Sequence, residues 1–225
     1  MKRPILLLAS VCILNIAPLV AQELSPDNLT AYNSIFSVTN FEGRRAIQVR
    51  EPAELLQSNE DNLVILNGVD FYNGEIEIWL AGTRNPDANE SARGFTGIAF
   101  RIAEDPTEYE AIYVRPANGR ADDQLRRNHS IQYISHPEYT WNKFRADTPS
   151  KYESYADMAL GEWIKYRLVV DGERAELYLN DAEQPNLIVK DLKLGDSSGR
   201  IGLWIDSGTI AYFSDIRVST ESRPE

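Results

Sequence analysis

From residue 34 onward the chain alternates apolar and polar positions in short runs that Gly, Pro, Asn and Asp interrupt. A period near two builds strands, and no stretch sustains a helical period beyond about three turns. The pattern predicts strands over residues 35–38, 45–50, 62–66, 74–80, 97–102, 109–115, 130–135, 163–170, 174–179, 187–189, 201–205 and 210–218. Its most regular part sets Trp163, Lys165 and Arg167 against Ile164, Tyr166 and Leu168, then turns at Asp171-Gly172 into residues 174–179. That is a hairpin with one buried face. Helix is expected only briefly, over residues 52–56 and around residues 152–158. No internal repeat or Ser/Gly-rich linker divides residues 30–219, so the strands predict one all-β domain, a two-sheet antiparallel sandwich. Two connections stand out: residues 83–93, rich in Asn, Asp and Pro, and residues 116–129. Connections of that length inside a compact domain are usually functional or disordered.

The first residues follow a different rule. Lys2 and Arg3 precede an apolar run over residues 5–20 that ends at Ala21, the pattern of a secretory signal peptide cleaved near Ala21-Gln22. Asn15 and Pro18 interrupt the run, which is shorter than the roughly 20 apolar residues of a spanning helix. Val11 is too bulky before Cys12 for a lipoprotein signal. The expected organisation is a signal at residues 1–21, an N-terminal extension at 22–33, the β domain at 34–219 and a tail at 220–225. The product is expected to be periplasmic or secreted, with no membrane attachment after cleavage. Cys12 is the one cysteine and leaves with the signal, which excludes disulfides, thiol catalysis and cysteine-ligated zinc. The chain carries 23 Lys and Arg against 34 Asp and Glu, net −11; without Lys2 and Arg3 it is 21 against 34, net −13. So acidic a protein is not expected to bind nucleic acid, where affinity rests on cations meeting phosphates.

Against this background residues 113–145 form a cationic island. Arg115, Arg120, Arg126, Arg127, Lys143 and Arg145 stand against Asp122, Asp123 and Glu138, an excess of three positive charges, and both histidines, His129 and His136, lie here. Tyr113 and Arg115 share one strand face. Alternation sets Ser130, Gln132, Ile134 and His136 on one face of the next strand, and His129, Ile131 and Tyr133 on the other. Either set can face a ligand. Tyr133, Tyr139 and Trp141 can stack on pyranose rings, while Arg, Asn and Gln offer planar hydrogen-bond forks to hydroxyls or carboxylates. The alternative is that Tyr139, Trp141 and Phe144 pack a loop onto the sandwich and Arg126 and Arg127 pair with nearby acids.

The closing strands, GEWIKYRLVVDGERAELYLND, LIVKDLKLG and GRIGLWIDSGTIAYFSDIRV, with the earlier FYNGEIEIWLAG and GFTGIAFRI, resemble concanavalin A-like lectin/glucanase jelly rolls. Laminin G-like domains and the 3-keto-disaccharide hydrolase-like domains of bacterial exported proteins share this cadence. The resemblance covers residues 34–219 and implies a curved jelly roll whose concave sheet often holds carbohydrate. Family 16 glucanases carry acidic residues at three alternate strand positions. Here Glu75 and Glu77 occupy two, a pairing suited to retaining hydrolysis, and Trp79 or Leu80 stands at the third. Jelly-roll alginate lyases use Arg, Gln, His and Tyr, with Gln and His two apart; here Gln132 and His136 are four apart, and the paired-Arg strand and Tyr-rich closing motif are missing. Related modules often carry one structural calcium, toward which Asp70, Asp206 and Asp215 would contribute. A zinc cluster for 3-keto-disaccharide cleavage is not found in the sequence.

The sequence thus leads to an exported jelly roll that binds or processes a glycan, with a preference for an acidic one, through residues 113–145. Candidate ligand-binding residues are Tyr113, Arg115, Asn118, Arg120, Arg127, Asn128, Gln132, Tyr139, Trp141 and Arg145; candidate catalytic residues are His129, His136 and Tyr133. The alternatives are a polysaccharide lyase or glycoside hydrolase, and a laminin G-like protein-interaction domain.

Overall fold

A computed structural model describes residues 18–22, 24–56, 58, 60 and 62–221. The expected signal peptide lies outside them except for its last four residues. The strands are β1 (Val20–Ala21), β2 (Leu29–Tyr32), β3 (Ile35–Phe41), β4 (Arg44–Arg50), β5 (Asn62–Leu66), β6 (Asn73–Arg84), β7 (Thr96–Ile102), β8 (Tyr109–Val114), β9 (Ile131–His136), β10 (Glu153–Ser154), β11 (Ile164–Asp171), β12 (Arg174–Leu179), β13 (Leu187–Val189), β14 (Arg200–Ile205) and β15 (Thr209–Glu221). Three short helices join them: α1 (Pro116–Gly119), α2 (Gln124–Asn128) and α3 (Trp141–Asp147).

Two antiparallel sheets result. One runs β13-β12-β11-β6-β15-β4-β3, with β1 also paired to β15; the other runs β10-β9-β8-β7-β14-β5-β2. The architecture is the all-β jelly-roll sandwich that the periodicity and the resemblance predict.

The two sheets follow different burial patterns, and their sequences explain why. In the first sheet β11 and β12 alternate buried and half-exposed positions, so their outer face meets water. In the second, every residue of β5, β7 and β8 is buried. The inner side chains of this sheet, among them Ile98, Phe100, Ile112, Val114, Ile131 and Tyr133, join the inter-sheet core. Its outer side chains form a second cluster of Leu63, Ile65, Ala99, Tyr109, Ala111, Tyr113, Ile134 and Trp204. Near-continuous apolar runs such as Leu63-Val64-Ile65-Leu66 are what a sheet covered on both faces requires.

The helical expectations were less accurate. Residues 52–56 make only a 3-10 turn, Ala53–Leu55. Residues 152–158 form no helix: Glu153–Ser154 is β10, paired to β9, and Tyr152, Ala156 and Met158 are buried in the core. The 116–129 connection is occupied by α1 and α2, with Asp123 capping α2 through a bond from the Arg126 main-chain N–H, 3.1 Å.

Candidate functional site

Tyr113 lies near the end of β8, where Gly97 of β7 faces it and Gln132 of β9 pairs with it. A Cβ on Gly97 would sit 2.6 Å from Tyr113 Cβ, so glycine lets the Tyr113 ring settle over the sheet and stack on Trp204 at 4.4 Å. Arg115 follows on the same side. Its guanidinium donates to Tyr113 Oη (2.7 Å), His129 O (2.9 Å) and Gln132 Oε1 (3.3 Å), and lies 4.8 Å from the Tyr113 ring centre.

These two residues form the floor of a cavity of about 440 Å³ at one end of the sandwich. One wall is the β6–β7 loop, with Asn89, Ser91, Arg93 and Phe95; another is the β14–β15 turn, Asp206, Ser207 and Gly208. The third carries Asn118 of α1, Arg126 of α2, His129, and Trp141 and Arg145 of α3. The walls are tied together: Asn85 N–H donates to Gly208 O (2.9 Å), and Ala117 N–H to Arg93 O (3.1 Å). Helix α3 is amphipathic. Phe144 packs into the inter-sheet core against Tyr133 and Tyr152, which turns Trp141 and Arg145 to the cavity. Trp141 is 44% exposed, with the Arg145 guanidinium 4.9 Å from its ring centre.

Glu153 organises the charges beneath. Its buried carboxylate accepts from Arg145 Nε (2.9 Å), lies 3.7 Å from Arg115 Nη1 and 3.4 Å from His129 Nε2. Burial lowers the His129 pKa, and Arg145 and Arg115 push the same way against Glu153, so the imidazole is neutral near pH 7. Burial raises the Tyr113 hydroxyl against the opposing pull of Arg115, so it keeps its proton. Arg93 is lowered by burial and by the neighbouring charges of Arg126, Arg84 and Arg115.

Of the residues singled out in the sequence, Tyr113, Arg115, Asn118, His129, Trp141 and Arg145 all meet at this cavity. The strand alternation had set His129 apart from the Gln132 face, but β9 begins at Ile131 and α2 precedes it, so the alternation does not reach His129. Gln132 is buried beneath the floor, its amide N–H donating to Tyr133 O at 2.9 Å. The remaining candidates do not line the cavity. Tyr133 is on the inter-sheet side, its hydroxyl bonded to Glu110. His136 lies at the far end of β9, stacked on Tyr109 at 4.8 Å. Arg120 is held in solvent by Asp157 (2.9 Å) and Glu162 (2.7 Å), and Arg127 donates to Tyr155 Oη (2.8 Å). Asn128 accepts from Gln124, and Tyr139 packs on Phe144.

Glu75 and Glu77 share a face as expected, but it is the outer face of the other sheet, where Glu75 pairs with Arg167 at 3.4 Å. For a metal, no group of three or more His, Cys, Asp or Glu side chains is arranged to hold one among the described residues. Asp206 lines the cavity and Asp215 pairs with Arg44 at 2.9 Å. Sequence reasoning passed over Asn89, Arg93 and Phe95 and took Asp206 only as a calcium candidate; all four line the cavity though they are distant along the chain from residues 113–145. The length of the 83–93 connection was the available signal for Asn89 and Arg93.

No protein-family model and no curated protein matches the sequence. Solved structures do match the fold. A carbohydrate-binding module, CBM66 from Bacillus subtilis, superposes with a TM-score of 0.59 at 15% identity, over 85% of this chain and 96% of that one. A protein of unknown function with a galectin-like fold, also from Bacillus subtilis, gives 0.57 at 11% identity, over 88% and 91%. A putative glycosyl hydrolase from Parabacteroides distasonis gives 0.53 at 12%, over 87% and 94%. The fold is therefore the concanavalin A-like jelly roll.

Proposed function

We propose that this jelly roll is a carbohydrate-recognition domain whose ligand occupies the cavity beside Trp141. The observation that carries the reading is a large aromatic ring left 44% exposed at the mouth of a cavity lined by planar hydrogen-bond donors. Phe144 on the same short helix is buried, so the exposure of Trp141 is not a shortage of core. A pyranose ring presents apolar C–H groups to such a face and hydroxyls at its rim, where Asn89, Asn118, Arg115 and Arg145 can reach them. Neighbours of the same fold that are a carbohydrate-binding module and a putative glycosyl hydrolase add support.

A glycan array followed by calorimetry on the best ligand tests this. Trp141→Ala is expected to weaken binding by about thirtyfold or more, the usual scale for truncating a tryptophan at the centre of a contact. An array with no bound glycan would overturn the reading and favour a protein-interaction domain.

One observation favours a second reading, turnover of a uronate glycan. Neutral His129 lines the same cavity as Arg115 and protonated Tyr113. In β-elimination the cavity's arginines would neutralise the substrate carboxylate and His129 would take the proton from the adjacent ring carbon. The carbon–oxygen bond to the leaving sugar then breaks, a ring double bond forms, and the departing oxygen gains a proton. Ultraviolet absorbance of the unsaturated product, lost in His129→Ala, is the expected result; binding of uronates with no absorbance removes this reading.

A further inference from the structure

Four of the cavity's side chains are arginines, and they are not paired alike. Arg145 and Arg115 lean on Glu153. Arg93 and Arg126, by contrast, form no ion pair with a carboxylate among the described residues. Arg93 donates to main-chain oxygens of Glu90 and Ala92, and Arg126 to Ala117 O and Asn118 Oδ1 at 3.4 Å. Elsewhere in this acidic protein arginines find carboxylates readily: Arg44, Arg120, Arg167 and Arg174 each do. Two half-buried guanidiniums close enough to repel each other, both held on neutral oxygens, leave positive charge uncompensated at the cavity, where an anion would complete the set. Ala117 links the two, its main-chain N–H donating to Arg93 O and its carbonyl accepting from Arg126, so the arrangement exists before any ligand arrives.

Accepting the carbohydrate reading above, we propose that Arg93 and Arg126 form an anion subsite, which takes the carboxylate of a uronic acid or the sulfate ester of a sulfated sugar. Planar guanidinium forks match both oxyanions. The chain's net charge of −11 repels polyanions in general, so attachment of one would have to be local.

The test uses the full-length protein in affinity electrophoresis and calorimetry with paired probes: polygalacturonate against its methyl ester, and dextran sulfate against dextran. Wild type is expected to prefer the charged member of at least one pair, and which pair identifies the anion. Arg93→Gln and Arg126→Gln should each lower that affinity by about tenfold or more and leave neutral-glycan binding unchanged. Arg127→Gln, outside the cavity, should change nothing. Neutral glycans bound through Trp141 with no preference for charge would overturn the subsite alone. Charged glycans bound equally by wild type and the Arg93→Gln, Arg126→Gln double variant would do so too. Failure of every glycan to bind would remove the carbohydrate reading and the subsite with it.

Discussion

At the scale of single residues, Glu110 shows how strongly the interior acts on one group. It lies on the inter-sheet side of β8, where burial raises its carboxyl from 4.5 to about 7 despite the bonds it accepts from the Tyr133 hydroxyl and the Leu194 main-chain N–H. A carboxyl raised in the folded state holds its proton when the unfolded chain has lost it. Stability due to Glu110 is therefore full below pH 4.5 and is lost as pH rises toward 7. His129, lowered by burial, works oppositely, its contribution growing as pH rises toward 6.5. Glu110→Gln removes only the first effect. Relative to this variant, wild type should lose on the order of 3 kcal/mol between pH 4.5 and pH 7 in urea unfolding. Equal slopes for the two proteins would contradict the placement of Glu110.

At the scale of elements, the β6–β7 loop is the piece on which the cavity depends. Gly82 of β6 touches Gly94 at its base so closely that a Cβ would lie 2.0 Å from Gly94 O. Gly82→Ala must push the loop outward. We expect a cost of about 1–3 kcal/mol in thermal unfolding. A loss of glycan affinity, seen by calorimetry, should accompany it, because Asn89 moves with the loop. Unchanged affinity would mean that this wall takes no part in binding. The strands themselves were readable from period-two patterning, with residues 62–66, 174–179 and 187–189 falling where expected. The helices were not. α3 spans seven residues, too few for a 3.6-residue period to stand out, and its direction is set by Phe144 inserting into the core. Residues 152–158 carry helix-compatible side chains, but Tyr152 and Met158 are drawn into the inter-sheet core on either side of β10.

At the scale of the whole molecule, the two sheets divide the labour. One keeps a wet outer face, and the other is buried on both sides and carries the cavity at its end. The half of the cavity that comes from residues 113–145 was legible, because cationic and aromatic groups concentrate there against an acidic chain. The half from residues 89–95 and 206–208 was not, because it is brought near by the pairing of β14 with β7 and of β15 with β6. Which strand face looks outward was equally invisible in the pattern, since β8 and β9 are apolar on both sides; the inward position of Tyr133 shows it. The ligand's place beside Trp141 is open to a crystal structure with an oligosaccharide chosen from the array. The expected result is a sugar ring stacked on Trp141 with its polar groups toward Arg115 and Asn118. A sugar seated instead on the outer face of the other sheet, beside Trp79 of β6 and Tyr212 of β15, which are half-exposed there, would contradict this placement.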